Sequence, residues 1–212
     1  MKKYVIVATK GRPAETAILL DYLADQEVRP DGVYVVGTCA ADLPDVTGHP
    51  LHDYARVVLL VGKTAGSTFQ RNDGIEALLR ARAAVNCSER WFACFFDDDF
   101  RPHRAWLRQC EALFTELPTA IGMTGQVLAD GVKTGGIDER DALRFLSGEL
   151  APQEHWASGS ERKEIRCAYG CNMAFVDRVI ERCRFDTALP LYGWQEDYDF
   201  TACAKAFGPA VY

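Results

Sequence analysis

Three consecutive carboxylates, Asp97, Asp98 and Asp99, stand at the end of an apolar run. The run Trp91–Phe96 is short and uninterrupted, which predicts a strand covered on both faces in a parallel sheet. Adjacent acids repel one another, so they are costly to hold together without a counter-charge. One interpretation is a solvated acidic turn. The other is a site for a hard divalent cation that carries substrate phosphates, and we favour it because ligands of open α/β sheets lie beyond the carboxyl ends of the strands.

Side chains alternate along an extended chain, so residues i and i+2 project to the same side. The sequence therefore predicts that Asp97 and Asp99 act together while Asp98 faces elsewhere.

A second acidic group, Glu196, Asp197 and Asp199, begins a predicted helix. Helix-start electrostatics alone would explain these carboxylates. Neighbouring helical residues do not share a face, so we expect Glu196 and Asp197 to have different partners, one facing a substrate and the other organising the turn. Arg71 lies near the start of another predicted helix, where a cation opposes the macrodipole, and a local anion would explain its position.

Bulk properties exclude several classes of protein. The net charge is −6, from 24 basic and 30 acidic residues, which argues against nucleic acid as the main partner. No apolar run approaches the roughly 20 residues needed to span a bilayer, and the N-terminal run is too short for a signal peptide. We expect a cytoplasmic protein with no transmembrane segment, and peripheral membrane association stays open. The eight cysteines lie mostly in apolar patterns, so neither a zinc site nor disulfides are expected.

Apolar periodicity predicts strands and helices in alternation, hence an α/β fold with a mainly parallel sheet. Predicted strands are Tyr4–Ala8, Val33–Val36, Ala55–Val61, Trp91–Phe96, Ala120–Leu128 and Ala168–Val176, with Val211–Tyr212 beginning another. A first helix is predicted to start at Pro13, and further helices are predicted over Thr68–Asn86, Ala105–Leu117, Arg178–Cys183 and Glu196–Phe207. Asp177 is the predicted cap of the fourth helix. The last helix is predicted to bury Cys203 and to end at Gly208. Asp138–Lys163 is polar without a sustained period and is predicted to be a mobile loop.

In this order and spacing, the motifs of the chain resemble glycosyltransferase family 2 of the GT-A fold along nearly its whole length. The motifs are Thr9–Pro13, Gln70–Gly74, Phe95–Asp99, Gly170–Met173 and Glu196-Asp197. The resemblance implies one GT-A domain over residues 1–212, with a mixed, mainly parallel sheet flanked by helices. Because Val211–Tyr212 reads as the start of a strand, a fragment of a longer protein is one interpretation.

The resemblance also implies an enzyme, a hexosyltransferase-type glycosyltransferase, with an inverting mechanism. Its partners would be a nucleotide-diphosphate sugar, Mn²⁺ or Mg²⁺, and a carbohydrate or lipid-linked acceptor. Asp99 and Asp97 would bind the metal, with Asp98 near the donor ribose or sugar. Asp197 would be the general base, and Glu196 would support it or the acceptor. The remaining nucleotide-binding candidates are Thr9, Lys10, Arg12, Thr38 and Arg71.

One departure from the family leaves the nucleobase open. Family members often carry an Asp at the end of the second strand, where this chain has Val36-Gly37-Thr38-Cys39. Two alternative functions also stay open. A sugar-phosphate nucleotidyltransferase would use acids and Mg²⁺, although such enzymes usually carry a Gly-rich loop after the first strand and Thr9–Pro13 has one glycine. A non-catalytic nucleotide-sugar-binding fragment is the other.

Overall fold

The computed structural model describes residues 1–85, 88–159, 161–189 and 195–212. Valine, isoleucine and phenylalanine fill the strand segments, and such residues fit a pleated sheet whose faces are both covered. The strands are β1 (Lys2–Ala8), β2 (Gly32–Gly37), β3 (Arg56–Val61), β4 (Trp91–Asp97), β5 (Gly122–Thr124), β6 (Asn172–Val176) and β7 (Ala210–Val211). The helices are α1 (Pro13–Ala24), α2 (Ser67–Val85), α3 (Trp106–Glu116), α4 (Glu139–Leu146), α5 (Asp177–Ile180) and α6 (Glu196–Ala204).

The strands form one seven-stranded sheet in the order β3-β2-β1-β4-β6-β5-β7. Strand β1 runs parallel to β2 and β4, and β3 runs parallel to β2. Strand β6 is antiparallel to β4 and β5, while β7 is parallel to β5. The prediction of a mixed, mainly parallel sheet flanked by helices is confirmed.

Strand β4 is central, and its aromatic side chains alternate between two helical layers. Phe92 and Phe96 pack against Phe114 and Trp106 of α3. Phe95 points the other way into a cluster with Phe175, Phe185 and Phe200, the last from α6. The same strand therefore anchors both layers and fixes where its carboxyl end lies.

On the described residues, no helix is both long enough and apolar enough to cross a bilayer.

Several predicted boundaries are wrong, each for a local reason. The strand predicted over Ala120–Leu128 is only Gly122–Thr124, and the next residue, Gly125, packs so closely on Trp106 that a Cβ there would lie 2.7 Å from its side chain. The strand predicted over Ala168–Val176 starts at Asn172.

The helix boundaries also need correction. Asp177 is the first residue of α5 rather than its cap, and its carboxylate accepts a hydrogen bond from the Trp91 amide at 3.2 Å. Helix α6 changes to a 3₁₀ turn at Lys205. Gly208 ends it with φ +146°, as predicted. The predicted helix end at Asn86 lies outside the described residues.

The prediction that most cysteines lie in apolar, buried patterns is confirmed for some of them only. Cys94, Cys110 and Cys183 are buried and Cys167 and Cys171 are partly buried, but Cys39 and Cys203 are exposed. The placement of Cys203 on the buried face of α6 is therefore wrong, and Cys87 lies outside the described residues.

The predicted loop Asp138–Lys163 contains a helix, α4, which corrects the sequence analysis. The Asp138 side chain caps it by accepting from the Asp141 amide at 2.8 Å, and such caps stabilise helix starts. Ala142, Phe145 and Leu146 follow a helical spacing over two turns. This stretch is too short to stand out among polar neighbours, so the sequence analysis missed it.

Candidate active site at the carboxyl end of β4

The three acids at the end of β4 diverge as the strand alternation predicts. Asp98 points inward and is 1 % exposed. Asp97 and Asp99 line a cavity of about 710 Å³. The predicted joint orientation of Asp97 and Asp99 is thus confirmed, with Asp98 facing elsewhere.

Arg12, at the start of α1, pairs with two of these acids. Its Nη2 lies 2.6 Å from Asp98 Oδ1, and its Nη1 lies 2.6 Å from Asp99 Oδ2. Thr9 donates its hydroxyl to Asp98 Oδ2 at 2.8 Å. Burial nevertheless raises the pKa of Asp98 to about 6, although Thr9 and Arg12 oppose the shift. Because Arg12 contacts both acids, the buried Asp98 helps to hold Arg12 beside Asp99. Thr9 is buried and does not face the cavity.

Arg71 joins the end of β4 to the start of α6. Its guanidinium, in a residue only 2 % exposed, contacts Asp97 at 2.9 Å and Glu196 at 2.6 Å and donates to the Gly170 carbonyl at 3.1 Å. Burial alone would lower the pKa of Arg71, but the two carboxylates more than offset this and raise it. The local anion that the sequence analysis expected near Arg71 is this carboxylate pair, so its guanidinium is already occupied by the protein.

The neighbouring Asn72, which belongs to the Gln70–Gly74 motif, contacts the segment after α5. Its side chain exchanges two hydrogen bonds of 2.9 Å with the backbone of Phe185. Asn72 thereby holds the segment before α6 against α2.

Glu196 and Asp197 have different partners, as their helical spacing predicts. Burial raises the pKa of Glu196, with Arg71 acting against the shift. Asp197 accepts one hydrogen bond at each oxygen, from the Gly170 amide at 3.0 Å and the Tyr198 amide at 2.7 Å. A Cβ on Gly170 would lie 3.2 Å from Glu196 and 3.3 Å from Asp197, so glycine permits this close approach. The Gly170 amide is thus paired with α6 and its carbonyl with Arg71 of α2, so neither group joins the sheet, and β6 starts only at Asn172.

Gly170 links Asp197 to a segment that borders the cavity. Tyr169 and Cys171, on either side of Gly170, line the cavity. Asp197 is not among the lining residues, and it contacts the Gly170 amide between these two positions. Asp97 and Asp99 therefore line the cavity directly, whereas Asp197 contacts the segment that borders it.

Two further nucleotide-binding candidates, Lys10 and Thr38, follow the first two strands and lie outside the cavity. Lys10 is exposed. Thr38 is half-buried, and its hydroxyl donates to Asp42 Oδ2 at 2.6 Å. Neither residue lines the cavity, so the structure does not bring them together with Asp97 and Asp99.

Asp42 is a residue of this region that the sequence analysis missed. Its carboxylate is 5 % exposed and accepts from the backbone amides of Gly11 and Thr38, each at 2.7 Å. It therefore ties the loop after β2 to the loop after β1. The Ala- and Asp-containing segment directly after Thr38 could have indicated a turn there. Nothing in the sequence near Asp42 indicates that its carboxylate contacts Gly11.

We expect Asp42→Asn to lower the free energy of unfolding by roughly 2 kcal/mol at pH 7. The hydrogen bond from the Thr38 hydroxyl is the main cause that lowers the pKa of Asp42 to about 2, with the Gly11 and Thr38 amides contributing and burial opposing. An unfolded Asp titrates near 3.9, so this stabilisation is present above about pH 5 and is lost as the pH falls toward 2. Urea denaturation of the wild-type protein and of Asp42→Asn at pH 7 and pH 2.5 measures this stabilisation. If the difference between their free energies of unfolding did not shrink at pH 2.5, the stabilising role of the ionised Asp42 would be contradicted.

The carboxylate oxygens at the end of β4 fit a cation whose other ligands are substrate phosphates and water. Among the described residues, no group of three or more His, Cys, Asp or Glu side chains is arranged to hold a metal. Asp97 Oδ1 and Asp99 Oδ2 are engaged by Arg71 and Arg12, while the second oxygen of each carboxylate receives no hydrogen bond from the described part of the chain. Mg²⁺ and Mn²⁺ can be held by one or two carboxylates together with substrate phosphates and water. Asp97 and Asp99 therefore fit such a cation.

Comparisons with known proteins give the fold. No protein-family profile matches the chain, and no curated protein matches it. The crystal structure of S. aureus TarS 1–349 in complex with UDP-GlcNAc has a TM-score of 0.63 at 20 % identity, covering 99 % of this chain and 56 % of that one. The mannosyltransferase PcManGT from Pyrobaculum calidifontis, in complex with GDP-Man and Mn²⁺, has a TM-score of 0.57 at 17 % identity, covering 99 % and 53 %.

A third structure, A197 from STIV, has a TM-score of 0.54 at 14 % identity and covers 100 % of this chain and 81 % of its own. The chain thus spans somewhat over half the length of the TarS and PcManGT chains. These likenesses confirm the predicted GT-A-like fold.

Proposed function

We propose that this protein is an inverting glycosyltransferase that moves a sugar from a nucleotide-diphosphate donor to an acceptor hydroxyl with the help of a divalent cation. The observation that carries the proposal is Arg71, which joins Asp97 of β4, a residue that lines the cavity, to Glu196 of α6. Two structures of similar fold were solved with UDP-GlcNAc and with GDP-Man and Mn²⁺, which supports a nucleotide-sugar donor.

Charge and exposure suggest how the donor would be held. Asp97 and Asp99 would bind Mn²⁺ or Mg²⁺ at the end of β4. A cation bound there supplies positive charge to the leaving diphosphate. Arg12 is half-exposed and lies against Asp99, so its guanidinium would also bind a phosphate of the donor. Lys10 and Thr38 would lie toward the nucleoside.

Asp197 is the better of the two α6 acids for the role of general base. Glu196 is occupied by the buried Arg71, with 2.6 Å between the charged atoms. Each oxygen of Asp197 accepts one hydrogen bond from a backbone amide, and a carboxylate oxygen has a second lone pair. Asp197 would take the proton from the acceptor hydroxyl as that oxygen attacks the anomeric carbon on the face opposite the diphosphate.

The buried Arg71–Glu196 contact gives Glu196 a positioning role. Because Glu196 and Asp197 are consecutive, fixing one side chain against α2 also fixes the backbone that carries the other. Glu196 would then hold Asp197 at Gly170.

A thermal-shift screen followed by a transfer assay tests the proposal. Nucleoside diphosphates that bind the native state raise the melting temperature, so the best stabiliser in the presence of Mn²⁺ identifies the base. Release of that nucleoside diphosphate from its sugar conjugate, in the presence of acceptor, is the expected reaction. Formation of a sugar nucleotide from a nucleoside triphosphate and a sugar phosphate would instead establish a nucleotidyltransferase, and binding without any turnover would establish a binding fragment.

A further inference from the structure

The cavity has one charged end and one apolar wall. The charged end consists of residues from the start of α1 and from β4 and the turn after it: Arg12, Glu15, Asp97, Asp99 and Arg101. The apolar wall comes from the segment after β5 and from α4. Its members are Val127, Leu128, Ala129, Val132, Ile137, Ala142, Phe145 and Leu146.

Few polar side chains on that wall can serve a ligand. Asp130 lines it, with its Oδ2 accepting from the Tyr169 hydroxyl at 2.7 Å and its Oδ1 accepting from the Val132 amide at 2.9 Å. Gln126 is the other polar member of the segment, and it is exposed. Two polar side chains are too few for the several hydroxyls of a sugar ring pressed against this wall, and burying the remaining hydroxyls without hydrogen-bond partners is costly.

Charged contacts hold the apolar wall in place. Glu139, the first residue of α4, accepts from Arg101 at 2.8 Å and from the Tyr22 hydroxyl at 2.7 Å. Arg101 also pairs with Glu15 of α1. Arg101 follows the acidic motif by two residues, so α4 is fastened directly to the turn after β4. The part of the wall that α4 supplies is therefore held by the turn that follows the proposed cation ligands.

From this arrangement we infer that the acceptor carries an apolar aglycone, which binds the wall formed by residues 127–129, Val132, Ile137 and α4. The acceptor hydroxyl then lies at the charged end, and the hydrocarbon part lies along the wall. The inference rests on the proposed function, because it takes the ligand of this cavity to be the acceptor. The aglycone is alkyl or aromatic, and both satisfy the same apolar surface.

Binding of matched glycosides tests the inference without any turnover. The whole chain is titrated with methyl, n-octyl and phenyl β-D-glucosides, with the octyl compound kept below its critical micelle concentration. Intrinsic tryptophan fluorescence reports binding, since Trp106 lines the cavity. One buried methylene contributes about fourfold in affinity, so three give roughly sixtyfold. We expect the octyl or the phenyl glucoside to bind at least tenfold more tightly than the methyl glucoside, and the tighter of the two identifies the aglycone type.

Two leucines of α4 provide a matched pair of variants. Leu146 lines the cavity, whereas Leu143 is 53 % exposed and does not line it. Leu146→Ser should weaken binding of the preferred glucoside about tenfold, and Leu143→Ser should leave it unchanged. Equal affinity of the wild-type protein for all three glucosides, or equal effects of the two variants, would overturn the inference. Nucleoside diphosphate binding is measured in the same samples, so loss of the aglycone preference with intact nucleotide binding rejects this inference alone.

Discussion

Asp197→Asn is expected to lower the rate of sugar transfer by about 10²–10⁴-fold, the usual contribution of a positioned general base. The amide oxygen of asparagine can still accept from the Gly170 amide, which Asp197 contacts at 3.0 Å, so the fold should persist. Donor binding should also persist, since the proposed cation ligands lie at the end of β4 and in the turn after it, and not on α6. Transfer kinetics together with calorimetric titration of the donor separate these effects.

Asp199 offers a matched control for this variant. It stands in the same first turn of α6 and is exposed. Asp199→Asn makes the same change of charge and should keep nearly full transfer activity. Full activity in Asp197→Asn would remove Asp197 from the role of base, and a similar loss in both variants would point to the helix start rather than to one carboxylate.

Arg71→Met is expected to be the most destabilising of these changes, lowering the free energy of unfolding by about 3–5 kcal/mol. The variant leaves the carboxylates of Asp97 and Glu196, 33 % and 12 % exposed, without their shared cation. Removing one partner from a buried charge pair costs more than the pair contributes, because the remaining charge stays desolvated. Activity should fall as well, since the link between β4 and α6 is lost.

Arg162 provides the comparison for Arg71, as its contact with Glu116 joins two side chains that are each at least half exposed. Exposed pairs of this kind contribute about 0–1 kcal/mol, so Arg162→Met should be nearly neutral. Urea denaturation at pH 7 measures both variants. If Arg71→Met lost no more stability than Arg162→Met, the guanidinium would not be the link that we describe.

Much of the site could be predicted because it depends on local order in the chain. The apolar run before Asp97 predicts a central strand, and alternation predicts that Asp97 and Asp99 share a side that Asp98 does not. Helical spacing likewise predicts that Glu196 and Asp197 have different partners.

What the sequence analysis missed depends on contacts between distant segments. The partners of Arg71 lie 26 and 125 residues away in the chain, and the contact between Asp42 and Gly11 spans 31 residues. No periodic pattern encodes such pairs. Helix α4 was missed for a different reason, because its two turns lie among polar and glycine-rich neighbours and its capping residue Asp138 resembles a loop residue.

The central claim is that Asp97 and Asp99 hold a diphosphate through a divalent cation. Calorimetric titration of the best-stabilising nucleoside diphosphate, with Mn²⁺ and with a chelator in its place, tests it most directly for the wild-type protein and for Asp99→Ala. The account predicts that Mn²⁺ tightens binding at least tenfold in the wild-type protein and that Asp99→Ala removes most of this gain. Equal affinity with and without Mn²⁺ in the wild-type protein would contradict it.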